Sequence, residues 1–473
     1  MRFNLFLPKD KKISKEIFLL AWPIILSNLS RVLMSVFDIA MVGRLGKEAI
    51  AATGMGGMLT WGALSVVLGV RTAVQTITSR RVGQKKEKEC GAAFHNGLIM
   101  ALTYGIPISL LGALFSKNLV PFFIKDKIAT PLAVEYTGIV FLGIIFSAIS
   151  FVFVGFLTGI EKTKPHLIVT IVSNCLNVYL NAGFIYGTAG IKAIVETKLP
   201  GLVFLSGLWG WAPFPALGVK GAAIATLLST VFMCIHYSFY LFNKKIIERY
   251  RVFSFSVDIQ MMKTQLRLAV PMGLQETTIA IGWSIFYKIM GIIGLVELAT
   301  TELVFVIMHA SFMPAIGVGQ ACATLVGRYM GEKKIKKAEA SIYESIRISE
   351  YIMGTMGVLF IFFPVFFLNL FTNDPEIITF GTYGIRVVGF LQFVDAIGMT
   401  LWFALSGAGN TFFPALVESL LIWFVMIPGS WFIGVYLKIG FVGPFTLLPS
   451  IYITFAIIMV LKIRKGDWKN IVV

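Results

Sequence analysis

The sequence predicts an all-α integral membrane protein, with twelve transmembrane helices in two six-helix lobes related by a pseudo-twofold internal repeat. Three observations predict this fold class. The composition is strongly apolar, since 57% of the 473 residues are hydrophobic and only 14% are charged, which excludes an ordinary soluble protein. Apolar segments of membrane-spanning length recur along the chain. The second half of the sequence also repeats the first half at a constant offset.

The internal repeat appears when the sequence is shifted by 248 residues against itself. The match runs in one register from residue 20 to residue 163. Its clearest members are Leu20 and Leu268, Pro23 and Pro271, Gly43 and Gly291, Asp126 and Asp374, and the motifs Arg80-x-x-Gly83-x-Lys85-Lys86 and Arg328-x-x-Gly331-x-Lys333-Lys334. A gapless repeat of this length indicates a duplicated structural unit, which in an apolar chain is typical of a two-lobed transporter.

Each lobe is predicted to hold six spans, because a span needs about 20 mostly apolar residues to cross roughly 30 Å of hydrocarbon. The twelve segments that meet this requirement are 15–43, 54–78, 92–115, 132–159, 166–187, 218–242, 267–294, 300–326, 345–371, 380–407, 413–437 and 444–463. They divide the chain into an amino-terminal lobe at 1–243, a cytoplasmic linker at 244–266 and a carboxy-terminal lobe at 267–473.

Basic residues predict the orientation of the chain. The tails and the loops on their side of the membrane carry 27 lysines and arginines, whereas the opposite loops carry nine. By the positive-inside rule, both termini lie in the cytoplasm and the chain is a multi-pass protein of the inner (plasma) membrane. Contact with anionic lipid headgroups accounts for the net charge of +17. We therefore expect the lipid bilayer, and no nucleic acid, as a partner.

Residue patterns that indicate catalysis are missing from the sequence. The four cysteines, Cys90, Cys175, Cys234 and Cys322, show neither metal-ligand spacing nor a disulfide framework. No His/Asp or Cys cluster at ligand spacing indicates a catalytic site. We therefore expect no enzyme activity and no cofactor, and we expect the chain to be a monomer.

Polar residues inside the spans are candidates for function, because their burial in hydrocarbon must be compensated. Asp38 lies six residues before the outer end of span 1. Asn174, Asn177 and Asn181 share one face of span 5. Asn181 and Thr226 of span 6 lie at nearly the depth of Asp38. Three helices could thus form an oxygen cage for a hard monovalent cation such as Na⁺, or surround a titrating carboxylate. The alternative is a hydrogen-bond network that only joins helices.

The second lobe carries different polar residues. Asp395 lies near the middle of span 10, and Glu276 lies nine residues into span 7. Two such carboxylates could carry protons or bind organic cations. His309 of span 8 is a candidate proton relay, and Asn174 is a further candidate for contact with substrate or protons. For His309 the alternative is an ordinary hydrogen-bonded side chain, and Glu276 could instead lie in a water-filled mouth.

These motifs resemble those of the multidrug and toxic compound extrusion (MATE) family along essentially the whole chain. The resemblance is carried by Asp38-Ile39-Ala40-Met41-Val42-Gly43-Arg44-Leu45-Gly46, Asn177-x-x-x-Asn181, Gly221-Ala222-Ala223-Ile224-Ala225-Thr226, Asp395-Ala396 and Leu405-Ser406-Gly407. Many members of the family have an aspartate at the position of Asn181. With asparagine there, the chain resembles the NorM-like branch more than those members. The resemblance implies the fold of the MOP superfamily, in which two six-helix lobes surround a central cavity.

The resemblance also implies a function. Such proteins are secondary active multidrug exporters that move small organic, often cationic, substrates outward in exchange for Na⁺ or H⁺, by alternating access. The matching cation-site positions in the amino-terminal lobe are Asp38, Asn177, Asn181 and Thr226, and the matching aspartate of the other lobe is Asp395.

Two departures weaken the match in the carboxy-terminal lobe. The family glutamate of span 7 would fall at Ile279, three residues beyond Glu276. The tyrosine expected four residues before Asp395 is Leu391. We therefore expect the coupling ion mainly at Asp38, which is also the only place where we consider a bound metal ion, Na⁺.

Other functions stay open. A flippase for a lipid-linked precursor or a polysaccharide-lipid, in the same superfamily, would need several basic residues in its cavity to hold pyrophosphate. The basic residues in or beside the spans are Arg31, Arg71, Lys288, Arg347 and Arg386, and several of them are near span ends, which favours the exporter. A passive channel would conduct without coupling, and a membrane enzyme would turn over a lipid without a gradient.

Overall fold

The computed structural model describes residues 8–198, 206–210 and 213–472, and every regular element in these ranges is helical. The α-helices are α1 (Lys11–Gly43), α2 (Lys47–Gly83), α3 (Glu89–Leu114), α4 (Ser116–Phe123), α5 (Ala129–Leu142), α6 (Ile144–Gly159), α7 (Lys164–Lys198), α8 (Val219–Leu241), α9 (Lys244–Tyr250), α10 (Ile259–Ile293), α11 (Leu295–Gly331), α12 (Ile335–Phe362), α13 (Pro364–Asn369), α14 (Pro375–Gly407), α15 (Phe412–Leu421), α16 (Ile427–Trp431) and α17 (Val442–Lys465). Two π-helical segments, Ile422–Met426 and Phe432–Tyr436, flank α16. The predicted all-α membrane fold is confirmed.

The number of spans needs one revision. Within the described residues, ten helices are long and apolar enough to cross a membrane, and an eleventh candidate is the pair α5 and α6, which meet at a 43° bend. The remaining predicted span, 267–294, corresponds to α10, which has 35 residues. This helix is long enough to cross, but its polar run Gln275-Glu276-Thr277-Thr278 lowers its apolar character. Ten or eleven of the twelve predicted spans are therefore clear candidates. The span that is not among them is α10, which carries the candidate site residue Glu276.

The repeat extends to the way in which helices begin. The carboxylate of Asp10 accepts hydrogen bonds from two backbone amides at the start of α1, and Asp258 does the same for α10. Asp126 caps α5 in this way, at 2.9 and 2.7 Å, and Asp374 caps α14. Each pair is separated by the 248 residues of the repeat. An aspartate at this position pairs amide groups that the first helical turn leaves free.

The two lobes meet through α1 and α2 of the first repeat and α10 and α11 of the second. Two glycines in equivalent positions permit the closest approach. A Cβ atom at Gly83 would collide with the carbonyl oxygen of Arg328, and one at Gly331 would collide with that of Arg80. Only a residue without a side chain lets the backbones come this close.

Hydrogen bonds also join the two lobes. They lie in the half of the helix bundle that is nearer to the chain termini. Gln75 donates to the carbonyl of Gln320 at 3.0 Å, and Thr76 donates to that of Ser406 at 3.1 Å. In the opposite half of α1, Leu33 and Ile39 are exposed, by 59% and 63%. The lobes are thus packed together at the end that holds the termini.

The boundary between the lobes stays a prediction. The proposed linker, 244–266, holds the short helix α9 and the first residues of α10. In the described residues this linker is therefore partly helical, and α10 begins before the predicted start of the second lobe at residue 267.

Candidate functional site

The amino-terminal candidates form a chain of hydrogen bonds that starts at Asp38 on α1. Nδ2 of Asn181 on α7 donates to Oδ1 of Asp38 at 2.5 Å and to Oδ1 of Asn177 at 2.7 Å. Nδ2 of Asn177 donates in turn to the hydroxyl of Ser229 on α8 at 2.9 Å. Three helices are thus joined through side chains at one place, and three of the four cation-site candidates are in direct contact.

The placement follows from helix geometry. Asn177 and Asn181 lie one turn apart, so their side chains share a face of α7. Because α7 packs against both α1 and α8, this face points into the lobe, and Asn181 is only 1% exposed. Buried amide groups need hydrogen-bond partners. Asp38 and Ser229 supply these partners from the two flanking helices.

Thr226 is placed differently from the sequence expectation of one shared cage. Its hydroxyl donates to the backbone carbonyl of Ala222 in its own helix at 2.9 Å, and Ser229, three residues further along α8, bonds to Asn177 instead. Thr226 still borders the site, because Tyr136 of α5 contacts it and interacts electrostatically with Asp38. The sequence analysis missed both Ser229 and Tyr136.

The oxygen atoms at Asp38 fit a monovalent cation or a proton. Asp38 supplies one carboxylate, and Oδ1 of Asn181 is buried without a hydrogen-bond partner, so it is free to act as a ligand. Over the described residues, no group of three or more His, Cys, Asp or Glu side chains could hold a metal ion. With one carboxylate and neutral oxygens, the site matches the single charge of Na⁺ or H⁺ and does not match a transition metal.

Asn174 lies outside this chain of bonds. Its Nδ2 donates to the hydroxyl of Ser30 on α1 at 2.8 Å. It therefore joins α7 to α1 about two turns of α1 away from Asp38.

The carboxy-terminal lobe brings together three carboxylates. Glu276 on α10 and Asp395 on α14 both interact electrostatically with Glu418 on α15. Glu418 also accepts a hydrogen bond from Nε2 of Gln275 at 2.5 Å. Tyr452 of α17 lies near Asp395 and Glu418. Glu276 and Asp395 are thus parts of one acidic cluster, which we define as Glu276, Asp395 and Glu418.

The charges of the acidic cluster are not balanced within the described residues. In the part of the chain that the structure describes, none of its three carboxylates forms an ion pair with a lysine or arginine. All three side chains are partly exposed. Gln275, which is 2% exposed, keeps its Oε1 without a partner beside Glu418. The sequence analysis missed Glu418, although an acidic residue within predicted span 11 was a sufficient signal.

His309 lies apart from both groups of polar residues. Its ring packs against Phe312 at 4.8 Å between centroids, and the charged group that acts on it is Glu302, also on α11. Within the described residues, no contact joins it to Asp38 or to the acidic cluster.

Comparison with known proteins identifies the family. The MatE family model matches residues 23–182 and 271–432, so one model covers each repeat. The chain is 26% identical to the probable multidrug resistance protein NorM of Thermotoga maritima, over 99% of this chain and 97% of that protein. It is 22% identical to the probable multidrug resistance protein YoeA of Bacillus subtilis, over 97% and 94% of the two chains.

Solved structures share the fold. An outward-facing multidrug resistance MATE family transporter of the MOP superfamily superposes with a TM-score of 0.84 at 20% identity, with 97% of each chain covered. The eukaryotic MATE transporter AtDTX14 superposes with a TM-score of 0.79 at 18% identity, also with 97% of each chain covered. The matched sequence regions include Asp38, Asn177, Glu276 and Asp395. The chain therefore belongs to the MatE family and has the two-lobed fold of the MATE transporters.

Proposed function

We propose that this chain is a secondary active exporter of small organic, often cationic, molecules, which exchanges its substrate for Na⁺ or H⁺ by alternating access. The names of the relatives support multidrug export. In this proposal both termini lie in the cytoplasm, so the end at which the lobes are packed together faces inward. The protein acts as a monomer and needs no resident cofactor, because the coupling ion is cargo.

The observation that carries the proposal is the carboxylate of Asp38 within a membrane-spanning helix, held by a buried amide. A charge in this setting is costly unless it has a function. Asn181 holds one oxygen of Asp38 and offers a free oxygen of its own. Asp38 with Asn177, Asn181 and Thr226 is therefore the coupling-ion site that we propose.

The position of α1 suggests how the ion is coupled to the lobes. α1 packs against α7 inside its own lobe and against α11 of the other lobe. Asp38 is bonded to α7, whereas Asn28, ten residues earlier in α1, donates to the carbonyl of Met313 on α11 at 3.5 Å. A proton or Na⁺ at Asp38 changes the charge at one end of this helix. The resulting shift of α1 against α7 acts on its contact with the other lobe.

The required energies are within reach of ion coupling. Moving a two-state balance from 1:99 to 99:1 takes about 5.5 kcal/mol of differential binding. One cation driven inward by 100 mV contributes about 2.3 kcal/mol from the membrane potential. Concentration gradients and substrate binding supply the remainder.

The acidic cluster is the proposed binding place for the positive group of a substrate, or a second place for protons. Its negative charges have no basic partner among the described residues, and Asp395 and Glu276 both act electrostatically on Glu418. Asn174 and His309 are secondary candidates for contact with substrate or protons. Asn174 bonds to Ser30 and His309 packs against Phe312, away from Asp38 and from the acidic cluster.

The test is uptake of rhodamine 6G, a fluorescent organic cation, into everted membrane vesicles under an imposed Na⁺ or H⁺ gradient. We expect uptake to follow one gradient and to be abolished by Asp38→Asn, which keeps the shape of the side chain without its charge. Asp374→Asn is the matched control. It removes a carboxylate from a helix cap outside the spans, where asparagine caps about equally well.

Two results would contradict the proposal. If Asp38→Asn transports rhodamine 6G as fast as the parent, Asp38 is not the coupling site. If neither gradient drives uptake by the parent protein, the chain is not a coupled exporter of cations, and the flippase interpretation replaces it.

A further inference from the structure

Five basic residues lie in or beside the spans, and three of them have simple explanations. Arg347 forms a buried ion pair with Glu344. Lys288 and Arg386 are exposed on the outside of the described helices. Arg31 and Arg71 remain, and both lie well inside their helices.

Arg31 of α1 and Arg71 of α2 lie close enough to interact electrostatically with each other. Both also act on the hydroxyl of Tyr237 on α8. Arg71 reaches the other lobe, because its Nη2 donates to Oε1 of Gln320 on α11 at 2.6 Å. The arginine pair therefore lies where the lobes meet. It is seven residues, or about 10 Å, from Asp38 along α1 toward the termini.

The residues around the arginine pair are neutral hydrogen-bonding groups. His166 lies 2.6 Å from the Tyr237 hydroxyl through Nδ1 and 3.1 Å from the Ser27 hydroxyl through Nε2. Thr170 bonds to Ser27 at 2.9 Å. These groups orient one another, and none of them carries a negative charge that would balance the arginines.

Over residues 8–198, 206–210 and 213–472, neither Arg31 nor Arg71 forms an ion pair, and no carboxylate acts on either side chain. Two like charges in a medium of low dielectric constant repel strongly. Buried charges are therefore normally paired. A pair of guanidinium groups without an acid lacks the partner that its chemistry requires.

We propose that Arg31 and Arg71 form an anion subsite, which holds a carboxylate or phosphate group of the transported molecule. The planar guanidinium presents paired donors that match the two oxygens of such a group. Arg31 is partly exposed, so this side of the pair is accessible to an anion.

This inference rests on the proposed export function and narrows its substrate class. The amino-terminal lobe offers positive charge at the arginine pair, and the carboxy-terminal lobe offers negative charge at the acidic cluster. The two are linked through the contact of Ser65 on α2 with Thr277 on α10, at 3.3 Å. Thr277 follows Glu276, and Ser65 lies about 9 Å from Arg71 along α2. A molecule that carries both an acidic and a basic group matches the charges of both lobes, so we expect zwitterions among the substrates.

The experiment measures binding by fluorescence anisotropy to the purified full-length protein, without any gradient. The probes are rhodamine 110, a zwitterion with a free carboxylate, and rhodamine 123, its methyl ester. We expect Arg31→Gln and Arg71→Gln each to weaken rhodamine 110 binding by about tenfold and rhodamine 123 binding by less than about threefold. Arg31→Lys keeps the charge but not the paired planar donors, so it should weaken rhodamine 110 binding less than Arg31→Gln does. Arg386→Gln, which removes an exposed arginine, should affect neither probe.

A second arm separates a soluble substrate from a lipid headgroup. The same variants are titrated with dihexanoyl phosphatidate and with dihexanoylglycerol, followed by the fluorescence of the nine tryptophans. The subsite is supported if the protein prefers an acidic probe to its neutral counterpart and this preference depends on the arginines. Preference for rhodamine 110 indicates a soluble carboxylate as the ligand, and preference for dihexanoyl phosphatidate indicates a lipid phosphate. Equal losses for the acidic and neutral probes, or binding that ignores both arginines, would overturn it. Because no gradient is used, a failure of ion coupling leaves this outcome unaffected.

Discussion

Arg328 of α11 donates to both carboxylate oxygens of Glu161, at 2.7 and 2.9 Å, across the boundary between the two lobes. The same guanidinium donates to Glu16 of α1 at 2.6 Å. Its side chain is only 17% exposed, so solvent screens these ion pairs weakly. One arginine of the second repeat thus holds two acids of the first, at the end where the lobes are packed together.

Replacement of Arg328 should weaken the packing of the two lobes at the end that holds the termini, which we call the closed end. Charge-assisted hydrogen bonds contribute about 1.5–3 kcal/mol each, so we expect Arg328→Gln to shift the balance toward lobes separated at the terminal end. The measurement is double electron–electron resonance between spin labels at Lys88→Cys and Lys336→Cys, with the four native cysteines replaced by alanine. These two positions are exposed and equivalent in the repeat.

The control is Lys462→Gln, which breaks an ion pair to Asp467 at 2.7 Å within one lobe and should leave the distances unchanged. A distance distribution in Arg328→Gln identical to that of the parent would show that the arginine does not hold the lobes together.

The proposed coupling site allows a comparison of Ser229 and Thr226 on the same helix. Ser229→Ala removes the partner of the buried Asn177 amide, whereas Thr226→Val removes a bond that the hydroxyl makes to its own helix. We expect Ser229→Ala to lower the thermal midpoint of the detergent-solubilised protein more, at a cost of about 1 kcal/mol. Equal effects in thermal unfolding would mean that the Asn177 bond adds nothing to stability.

The three carboxylates of the acidic cluster should act as a unit. Neighbouring groups in one network show coupling energies of about 0.5–3 kcal/mol in double-mutant cycles. We expect Glu276→Gln and Glu418→Gln each to weaken tetraphenylphosphonium binding, measured by calorimetry, and the double variant to lose less than the sum. Glu376→Gln removes an exposed carboxylate from the first turn of α14 and should have no effect. Strict additivity would show that Glu418 does not share a ligand with Glu276.

A pH dependence is expected outside the membrane, at the turn between α2 and α3. Glu87 accepts two hydrogen bonds from Arg249, at 2.7 and 2.6 Å, which lower its pKa below the ordinary value of 4.5. A carboxylate with a lowered pKa stabilises the fold above its ordinary pKa, and this contribution is lost as the pH falls through the lowered value.

We therefore expect Arg249→Gln to be less stable than the parent at pH 7, by about 0.2–1 kcal/mol because the pair is exposed. The difference should vanish as the pH falls below the lowered pKa of Glu87. The check is the thermal midpoint of both proteins across this range. A difference that persists in acid would assign the effect to packing of the Arg249 side chain.

The sequence was sufficient for features that depend on one helix or on the repeat. The Asp126 and Asp374 match predicted equivalent positions, and both residues cap helices. The spacing of Asn177 and Asn181 placed both on one face, and the depth of Asp38 placed it opposite them. These predictions needed only the rise and period of an α-helix.

Features that depend on how helices rotate and pack were out of reach. Thr226 and Ser229 lie on nearly the same face of α8, and only the rotation of that helix decides which of them meets Asn177. Glu418 lies far from Glu276 in sequence, so their proximity required knowledge of which helices are neighbours. The same holds for Arg31 and Arg71, which look unrelated in the sequence and lie within electrostatic range of each other in the structure.

The contacts of Gly83 with Arg328 and of Gly331 with Arg80 have a consequence for the origin of the closed end. A contact that each repeat makes to the other in the same way is self-complementary, as in the interface of a symmetric dimer. Two separate copies of one six-helix unit could close against each other by this contact alone, before any linker joined them. A linker that joined the two copies later would only have kept together units that already associated. Subsequent changes in each half could then have placed positive charge in one lobe and negative charge in the other.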